Sequence, residues 1–263
     1  MKLAAGGWLG SYQLVAPLGA GASATVWRAR DGRGAEVALK LLALGEQPEL
    51  ANRFVREAEL LAQVDRHPNV LRVHSAGQAG PYLYLACELA AGGTLSDRLR
   101  EGPLEPAAAR ELVRALAAGL AHVHAAGIVH RDLKPDNVLF TERGPALADF
   151  GLARPLDRSS LTATGAVIGT PAFMSPEQAQ GRPADERSDV YALGAVLYAC
   201  LTGQPPHQAP SLLALLNEIT NADPTPPRRL RPEVPRDLEQ ACLRALRRDP
   251  AGRYASAEEL HEA

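Results

Sequence analysis

Apolar residues recur at strand spacing in the first third of the chain and at helical spacing in the rest. Residues 12–43 contain three short apolar runs, YQLVAPLG, ATVWRAR and EVALKLLAL, and the turn sequence DGRG separates the second from the third. Runs of this kind bounded by glycine predict antiparallel strands. The runs VLRVHSAG and YLYLACEL predict two more strands before residue 90.

The helical pattern begins at residues 49–64, where apolar positions i, i+4 and i+7 share one face. After the sequence AAGG, residues 105–127 predict a long helix with Pro near its start and Gly at its end. Residues 188–202 are apolar on nearly every side, which predicts a helix buried inside a larger unit. The pattern therefore indicates an α+β fold: a β-rich lobe with one helix, a hinge near Ala90–Gly93, and a mostly helical lobe.

The composition is that of an ordinary globular chain, with 46% hydrophobic and 22% charged residues among 263. The formal net charge of −2 gives no general attraction to nucleic acid or anionic lipid. The three cysteines are far apart and match no metal spacing, which favours reduced thiols in the cytoplasm. No apolar run approaches the roughly 20 residues of a membrane span, so we expect no membrane contact by this chain itself.

The segment HRDLKPDN, residues 130–137, concentrates charge directly before the apolar run VLF, which predicts a strand that anchors it. Its fixed letters H-R-D-L-x-x-x-N arise by chance about once in ten thousand chains of this length. Lysine is scarce: of 28 lysines and arginines only Lys2, Lys40 and Lys134 are lysine. A chain that otherwise uses arginine keeps lysine where a compact ammonium group is needed.

Three further motifs accompany this loop. GAGASATV, residues 19–26, fits G-x-G-x-x-G-x-V except that Ala24 replaces the third glycine, and such loops bring backbone N–H groups close to phosphates. The VALK motif ends at Lys40, whose charge needs a partner among apolar neighbours, and Glu57 in the following helix is placed to supply it. ADFG places Asp149 twelve residues after Asn137, and this pair offers the oxygen ligands that magnesium prefers.

Together these motifs resemble the signature set of protein kinase catalytic domains. LKP within the loop and GTPAFMSPE at residues 169–177 are similar to bacterial, eukaryotic-like serine/threonine kinases. The resemblance implies transfer of the γ-phosphoryl group of ATP, with Mg²⁺, to Ser or Thr hydroxyl groups of proteins, within a signalling pathway. It divides the chain into an N-terminal extension at 1–11, an N-lobe at about 12–88, a hinge at about 88–93 and a C-lobe at about 94–262.

The resemblance also implies roles for individual residues. Asp132 would orient the substrate hydroxyl and accept its proton, and Lys134 would neutralise the γ-phosphate during transfer. Asn137 and Asp149 would hold the metal ion, and the Lys40–Glu57 pair would hold the α- and β-phosphates. Cys87 would stand at the gatekeeper position. The nucleotide site is expected to comprise Leu18, Gly19, Ala20, Gly21, Val26, Ala38, Lys40, Glu88, Ala90, Leu139 and Asp149.

Further residues would be structural in such a domain. Glu177 would form a buried salt bridge with Arg253. Asp189 would hydrogen-bond the backbone of the catalytic loop, and Thr170 would bridge the catalytic aspartate and lysine.

Regulation is implied by Arg131, which precedes the catalytic aspartate, because in kinases such an arginine binds a phosphate that orders the following loop. Thr164 is the expected autophosphorylation site, with Thr162 second. Relatives pair through the N-lobe, so a homodimer through that lobe is a candidate, and many are cytoplasmic domains of membrane-anchored kinases.

Two other readings compete with an active protein kinase. A pseudokinase or ATP-binding scaffold would share the fold, but it would have lost one of Lys40, Asp132 and Asp149, which are all present. A small-molecule kinase would share the fold as well, but it would lack the GTPAFMSPE segment.

Overall fold

The computed structural model of the protein describes residues 3–20, 24–43, 66–150 and 171–263, together with Ala58, Ala62 and Val64. Within these residues, the N-terminal strands form a six-stranded antiparallel sheet in the order β1-β2-β3-β4-β6-β5. The strands are β1 (Trp8–Leu9), β2 (Tyr12–Ala20), β3 (Ala24–Arg30), β4 (Glu36–Ala43), β5 (Val73–Ala79) and β6 (Tyr82–Glu88). The predicted β-rich N-lobe is confirmed.

Two details of this lobe differ from the sequence pattern. The strand predicted from VLRVHSAG begins only at Val73, because the residues before it pair with Leu147 of the other lobe. The Leu71 N–H donates to the Leu147 carbonyl, and the Leu147 N–H donates to the Asn69 carbonyl, both at 2.9 Å. Trp8–Leu9, inside the predicted N-terminal extension, pairs with β2, and Leu9 is buried in the sheet's apolar cluster. Of the predicted helix 49–64, the described positions are helical.

The remaining elements are mostly helical, as predicted for the C-lobe. The helices described are α1 (Leu95–Leu99), α2 (Pro106–His124), α3 (Pro176–Ala179), α4 (Glu186–Thr202), α5 (Leu212–Asn221), α6 (Pro227–Leu230), α7 (Arg236–Ala245) and α8 (Ala257–Glu262). A two-stranded hairpin, β7 (Val138–Thr141) and β8 (Gly144–Leu147), follows the HRDLKPDN segment, and β7 confirms the strand predicted from VLF.

Helix α4 is the centre of the C-lobe. Every residue from Ser188 to Leu201 is buried, which confirms the burial predicted from its apolar surface. The helix begins two residues before the predicted start because the Asp185 side chain caps the N–H groups of Arg187 and Ser188. It ends at Gly203, whose φ of 76° suits glycine.

The hinge is fixed to the C-lobe by backbone pairing. The Gly92 N–H donates to the Phe140 carbonyl at 2.9 Å, and the Phe140 N–H donates to the Gly93 carbonyl at 3.0 Å. A Cβ atom on Gly92 would lie 2.6 Å from the Phe140 Cβ, so the close approach requires glycine. This pairing joins the hinge to the β7–β8 hairpin, so that β6 and this hairpin lie on opposite sides of one cleft.

Candidate active site

Segment 130–137 runs from α2 to β7, and its entry is held by the carboxylate of Asp189 on α4. Asp189 Oδ2 accepts the His130 N–H at 2.7 Å, and Oδ1 accepts the Arg131 N–H at 2.8 Å. Arg131 has a φ of 64°, a conformation that costs a non-glycine residue about 1 kcal/mol or more. The predicted contact between Asp189 and the loop backbone is therefore present, and it supports a strained residue directly before Asp132.

His130 joins the loop to the ADFG segment. Its Nδ1 accepts the Asp132 N–H at 3.3 Å, so Nε2 carries the proton that it donates to the Ala148 carbonyl at 3.0 Å. Burial lowers the pKa of His130 more than the nearby carboxylates raise it, and the ring is neutral at pH 7. The ring also packs on Phe150, with centroids 4.5 Å apart.

Asp132, Lys134 and Asn137 lie together, as predicted. Lys134 Nζ donates to Asp132 Oδ2 at 3.1 Å. Asn137 Nδ2 donates to the Asp132 carbonyl at 2.7 Å and to its Oδ2 at 3.2 Å. The Asp132 side chain is 20% exposed, and these hydrogen bonds hold the orientation of its carboxylate. A general base must lie within hydrogen-bond reach of the proton that it takes, and Asp132 is the candidate for that role.

Lys40 and Asp149 meet from opposite sides of the cleft. Lys40 Nζ lies 2.8 Å from Asp149 Oδ1, although one residue belongs to β4 and the other follows β8. Asp149 has a φ of 56°. A left-handed backbone conformation therefore occurs on both sides of the β7–β8 hairpin, at Arg131 before it and at Asp149 after it. The expected partner Glu57 lies outside the described residues.

The described residues predicted for the nucleotide site lie on strands of the N-lobe sheet, in the hinge and on β7. In the β3–β4 register Val26 stands opposite Lys40, and in the β4–β6 register Ala38 stands opposite Cys87. Burial raises the pKa of Cys87 to about 12, and the nearby Asp149 carboxylate adds to the rise, so its thiol stays protonated. Leu18, Gly19 and Ala20 end β2, Leu139 lies on β7, and Glu88 and Ala90 begin the hinge.

Asn137 and Asp149, on either side of the β7–β8 hairpin, carry oxygen donors that fit a magnesium ion. Within the part of the chain that the structure describes, Asn137 Nδ2 donates to Asp132, so the side-chain oxygen Oδ1 is the atom that could meet a cation, and Asp149 supplies a carboxylate that also pairs with Lys40. Magnesium is held by few protein oxygens together with water and phosphate. Among the described residues no group of three His, Cys, Asp or Glu side chains forms a denser metal site.

The segment after residue 170 packs beside the catalytic loop. Glu177 Oε1 and Oε2 accept Arg253 Nη1 and Nη2 at 2.7 and 2.8 Å, which confirms the predicted buried salt bridge. Burial alone would raise the pKa of Glu177, but the hydrogen bonds from Arg253 and Ser188 and the Arg253 charge lower it to about 2. The carboxylate is therefore ionised throughout the physiological range.

A small cavity lies between this segment and the catalytic residues. Its lining includes Asp132 and Lys134 on one side and Phe173, Met174 and Gln178 on the other. The surface offered by residues 171–178 is therefore adjacent to the candidate base.

Three residues that organise the site were not identified from the sequence. His124 Nε2 lies 2.9 Å from Asp189 Oδ2. Arg143 pairs with Glu88 at 2.6 Å and so links the hinge to the β7–β8 turn. Gln178 donates to the Arg131 carbonyl at 2.8 Å. Only Gln178 carried a sequence signal, the capping-box spacing Ser-x-x-Gln, and that signal predicts a helix start and no contact with the loop.

Several predicted residues lie outside the described part of the chain. They are Gly21, Glu57, Thr162, Thr164 and Thr170. In the part that is described, no helix has the length and apolar character needed to cross a membrane.

Comparison with known proteins places this geometry in a family. A family model described as protein kinase domain matches residues 12–263. Over 95% of its length the chain is 42% identical to the serine/threonine-protein kinase PkaA of Streptomyces coelicolor, 40% to PknB of Mycolicibacterium smegmatis and 36% to PrkC of Bacillus subtilis. It spans 48%, 41% and 39% of these relatives, which is less than half of each. The bilobal fold and the family match agree, and the chain belongs to the protein kinase domain family.

Proposed function

We propose that the chain is an ATP-dependent protein kinase that phosphorylates Ser and Thr residues of proteins. The observation that carries the proposal is the cluster of Asp132, Lys134 and Asn137, with Lys134 Nζ and Asn137 Nδ2 both within 3.2 Å of Asp132 Oδ2. The names of the similar bacterial proteins, all serine/threonine-protein kinases, support the same reaction. Asp149 and Lys40, joined at 2.8 Å, supply charge of both signs on the facing side of the cleft.

In the proposed reaction, the substrate hydroxyl oxygen forms a bond to the γ-phosphorus while the bond from that phosphorus to the β–γ bridging oxygen breaks. Asp132 orients the hydroxyl and takes its proton, and ADP leaves with the bridging oxygen. Lys134 lies beside Asp132 and neutralises charge on the transferring group. Positioning and charge neutralisation provide most of the acceleration in this class of reaction.

Asn137 and Asp149 would hold Mg²⁺, which would neutralise the charge that develops on the phosphate oxygens. Lys40 would bind the α- and β-phosphates and Glu57 would hold Lys40. Val26, Ala38 and Leu139 would contact the two faces of the adenine ring. The Glu88 N–H already donates to the Arg72 carbonyl at 3.0 Å, so the purine would be met by the Glu88 carbonyl and by the Ala90 backbone.

The test is intact-mass spectrometry after incubation with ATP and Mg²⁺, comparing wild type with Asp132→Asn. We expect the wild type to gain the mass of one or more phosphoryl groups and the variant to gain none, while its affinity for ATP changes little. The variant is nearly isosteric, so its thermal unfolding should match wild type. A wild type that phosphorylates neither itself nor a Ser/Thr-rich protein would contradict the proposal, and equal activity in Asp132→Asn would overturn the role of that residue.

Activation would follow autophosphorylation of Thr164, and secondarily of Thr162, with the phosphate bound by Arg131. The Arg131 Nε is buried and has no hydrogen-bond partner among the described residues, which supports a guanidinium held ready for an anion. Peptide mapping of the phosphorylated protein tests the two sites: Thr164→Ala should remove the main phosphopeptide, and phosphate confined to other residues would exclude this form of regulation.

The proposed setting is the cytoplasm, where this chain acts as the kinase domain of a longer protein or of a membrane-anchored one. The three free, buried cysteines suit a reducing compartment.

A homodimer through the N-lobe would use the edge of the sheet near β1, where Trp8 is 57% exposed. Sedimentation of wild type and Trp8→Ser tests this pairing, since a wild-type monomer at micromolar concentration would contradict it.

A further inference from the structure

Gln178 is the side chain that connects the catalytic loop with the segment at residues 171–178. Its Nε2 donates to the Arg131 carbonyl at 2.8 Å. At the same time its Oε1 accepts the Ser175 N–H at 3.1 Å and the Ser175 hydroxyl at 3.2 Å. The two residues that it joins are 44 positions apart in the sequence, and both are outside the set that carries the proposed chemistry.

The bond to Arg131 acts on the peptide unit directly before Asp132. That unit consists of the Arg131 carbonyl, held by Gln178, and the Asp132 N–H, held by His130 Nδ1 at 3.3 Å. A peptide unit is planar and includes the Cα atom of the following residue. Fixing its carbonyl oxygen and its N–H therefore fixes the plane in which the Asp132 Cα atom lies. Gln178 and His130 therefore determine the orientation of Asp132 from opposite ends of one plane.

This peptide unit also needs support because Arg131 is strained. Its φ of 64° is maintained on the amide side by Asp189, at 2.8 Å, and on the carbonyl side by Gln178. Strained backbone of this kind persists only where its surroundings fix it on several sides. Removing the carbonyl partner would leave the unit free to rotate toward an ordinary conformation.

The other end of Gln178 lies where a protein substrate would dock. Met174 and Phe173, next to Ser175, line the small cavity that also contains Asp132 and Lys134. We propose that Gln178 is a positioning residue, which sets the distance between the Asp132 carboxylate and the surface on which the substrate hydroxyl is presented. The inference rests on the proposed kinase activity, which it deepens by assigning a residue to alignment of the protein substrate.

The amide group is essential to this role because it donates at one atom and accepts at the other. In Gln178→Glu the side chain keeps its size and its acceptor for Ser175, but a carboxylate would face the Arg131 carbonyl with no proton to share. Gln180→Glu is the matched control: it makes the same chemical change two residues later, at the exposed C-cap of α3.

The experiment is steady-state kinetics of wild type, Gln178→Glu and Gln180→Glu with a Ser-containing peptide, varying peptide and ATP separately. We expect Gln178→Glu to lower kcat/KM for the peptide about tenfold or more, as for loss of one partly buried hydrogen bond, with KM for ATP within about twofold of wild type. Gln180→Glu should match wild type in both. A merely structural effect would instead lower the peptide and ATP parameters together, along with Tm.

Hydrogen exchange provides a readout that does not need turnover. The amide protons of residues 130–132 should exchange faster in Gln178→Glu than in wild type or Gln180→Glu, because their peptide unit has lost a partner. Unchanged exchange together with unchanged peptide kcat/KM would overturn the positioning role. If Gln178→Glu exchanges faster than wild type but the wild type transfers no phosphate, the hydrogen bond from Gln178 still holds the loop and only the proposed function is refuted. The two failures are therefore distinguishable.

Discussion

Breaking the buried Glu177–Arg253 pair by a single substitution should cause a large loss of stability. The Arg253 side chain is fully buried, and its five N–H donors are all used: two on Glu177 and the others on the carbonyls of Arg187, Arg247 and Arg248. Glu177→Gln keeps the shape of the side chain and removes its charge. The guanidinium is then left buried without its counter-ion, which costs about 3–5 kcal/mol.

The pKa of Glu177 gives an independent magnitude. A fall from the ordinary value of 4.5 to about 2 corresponds to about 3 kcal/mol at about 1.4 kcal/mol per pH unit. Because the folded-state pKa is the lower one, this stability is present above pH 4.5 and is lost as pH falls from 4.5 toward 2. The two figures agree in size, so breaking the pair would cost a substantial part of a typical domain stability.

The assay is urea unfolding at pH 7 of wild type, Glu177→Gln, Arg253→Met and the double variant. Each single variant should lose about 3 kcal/mol or more, and the double variant should lose clearly less than the sum, because the second change removes the charge stranded by the first. Additive losses, or a loss below about 1 kcal/mol in Glu177→Gln, would refute the argument from burial and pairing.

Three other substitutions or conditions test separate parts of the fold. Gly119→Ala should destabilise the protein by about 1–3 kcal/mol, since its Cβ would lie 2.7 Å from the Asn69 carbonyl oxygen where α2 meets the N-lobe; a thermal melt unchanged from wild type would contradict this. Asp189→Asn should lower kcat about tenfold with little change in ATP affinity. The two carboxylate oxygens of Asp189 accept the His130 and Arg131 N–H groups, and the variant replaces one of these acceptors with an NH₂ group that cannot accept. Isothermal titration with ATP separates the effect on binding from the effect on kcat. Since burial lowers the pKa of His130 below 6.5, the stability from its neutral ring is present above pH 6.5 and lost as pH falls below it; a His130→Gln variant with the same pH dependence of unfolding as wild type would exclude this source.

The architecture was largely predictable because the periodicity of apolar residues is local information. The strands of residues 12–43 and the buried helix α4 follow from residues that neighbour one another in the sequence. Boundaries were less predictable: the strand expected at residue 70 starts at Val73 because a residue of the other lobe, Leu147, takes the hydrogen bond of Leu71. A competing partner distant in sequence decides such a boundary, and no pattern of nearby residues contains it.

The candidate site was predictable in composition and less so in its contacts. The motifs identified Asp132, Lys134 and Asn137, which lie within five residues of one another in one loop and contact one another in the fold. Lys40 was assigned a carboxylate partner from the need to compensate its charge, and the described carboxylate beside it is Asp149, supplied by the other lobe. Burial of a charge requires a partner, but the packing of the two lobes decides which residue that partner is.

The same reasoning applies to Gln178: its spacing from Ser175 predicts a cap, but the contact with Arg131 exists only because α3 packs against a peptide unit held in a left-handed conformation. Residues that position a catalytic group are therefore the part of an active site least accessible from sequence, and variants that keep side-chain shape while changing a single donor are the direct way to find them.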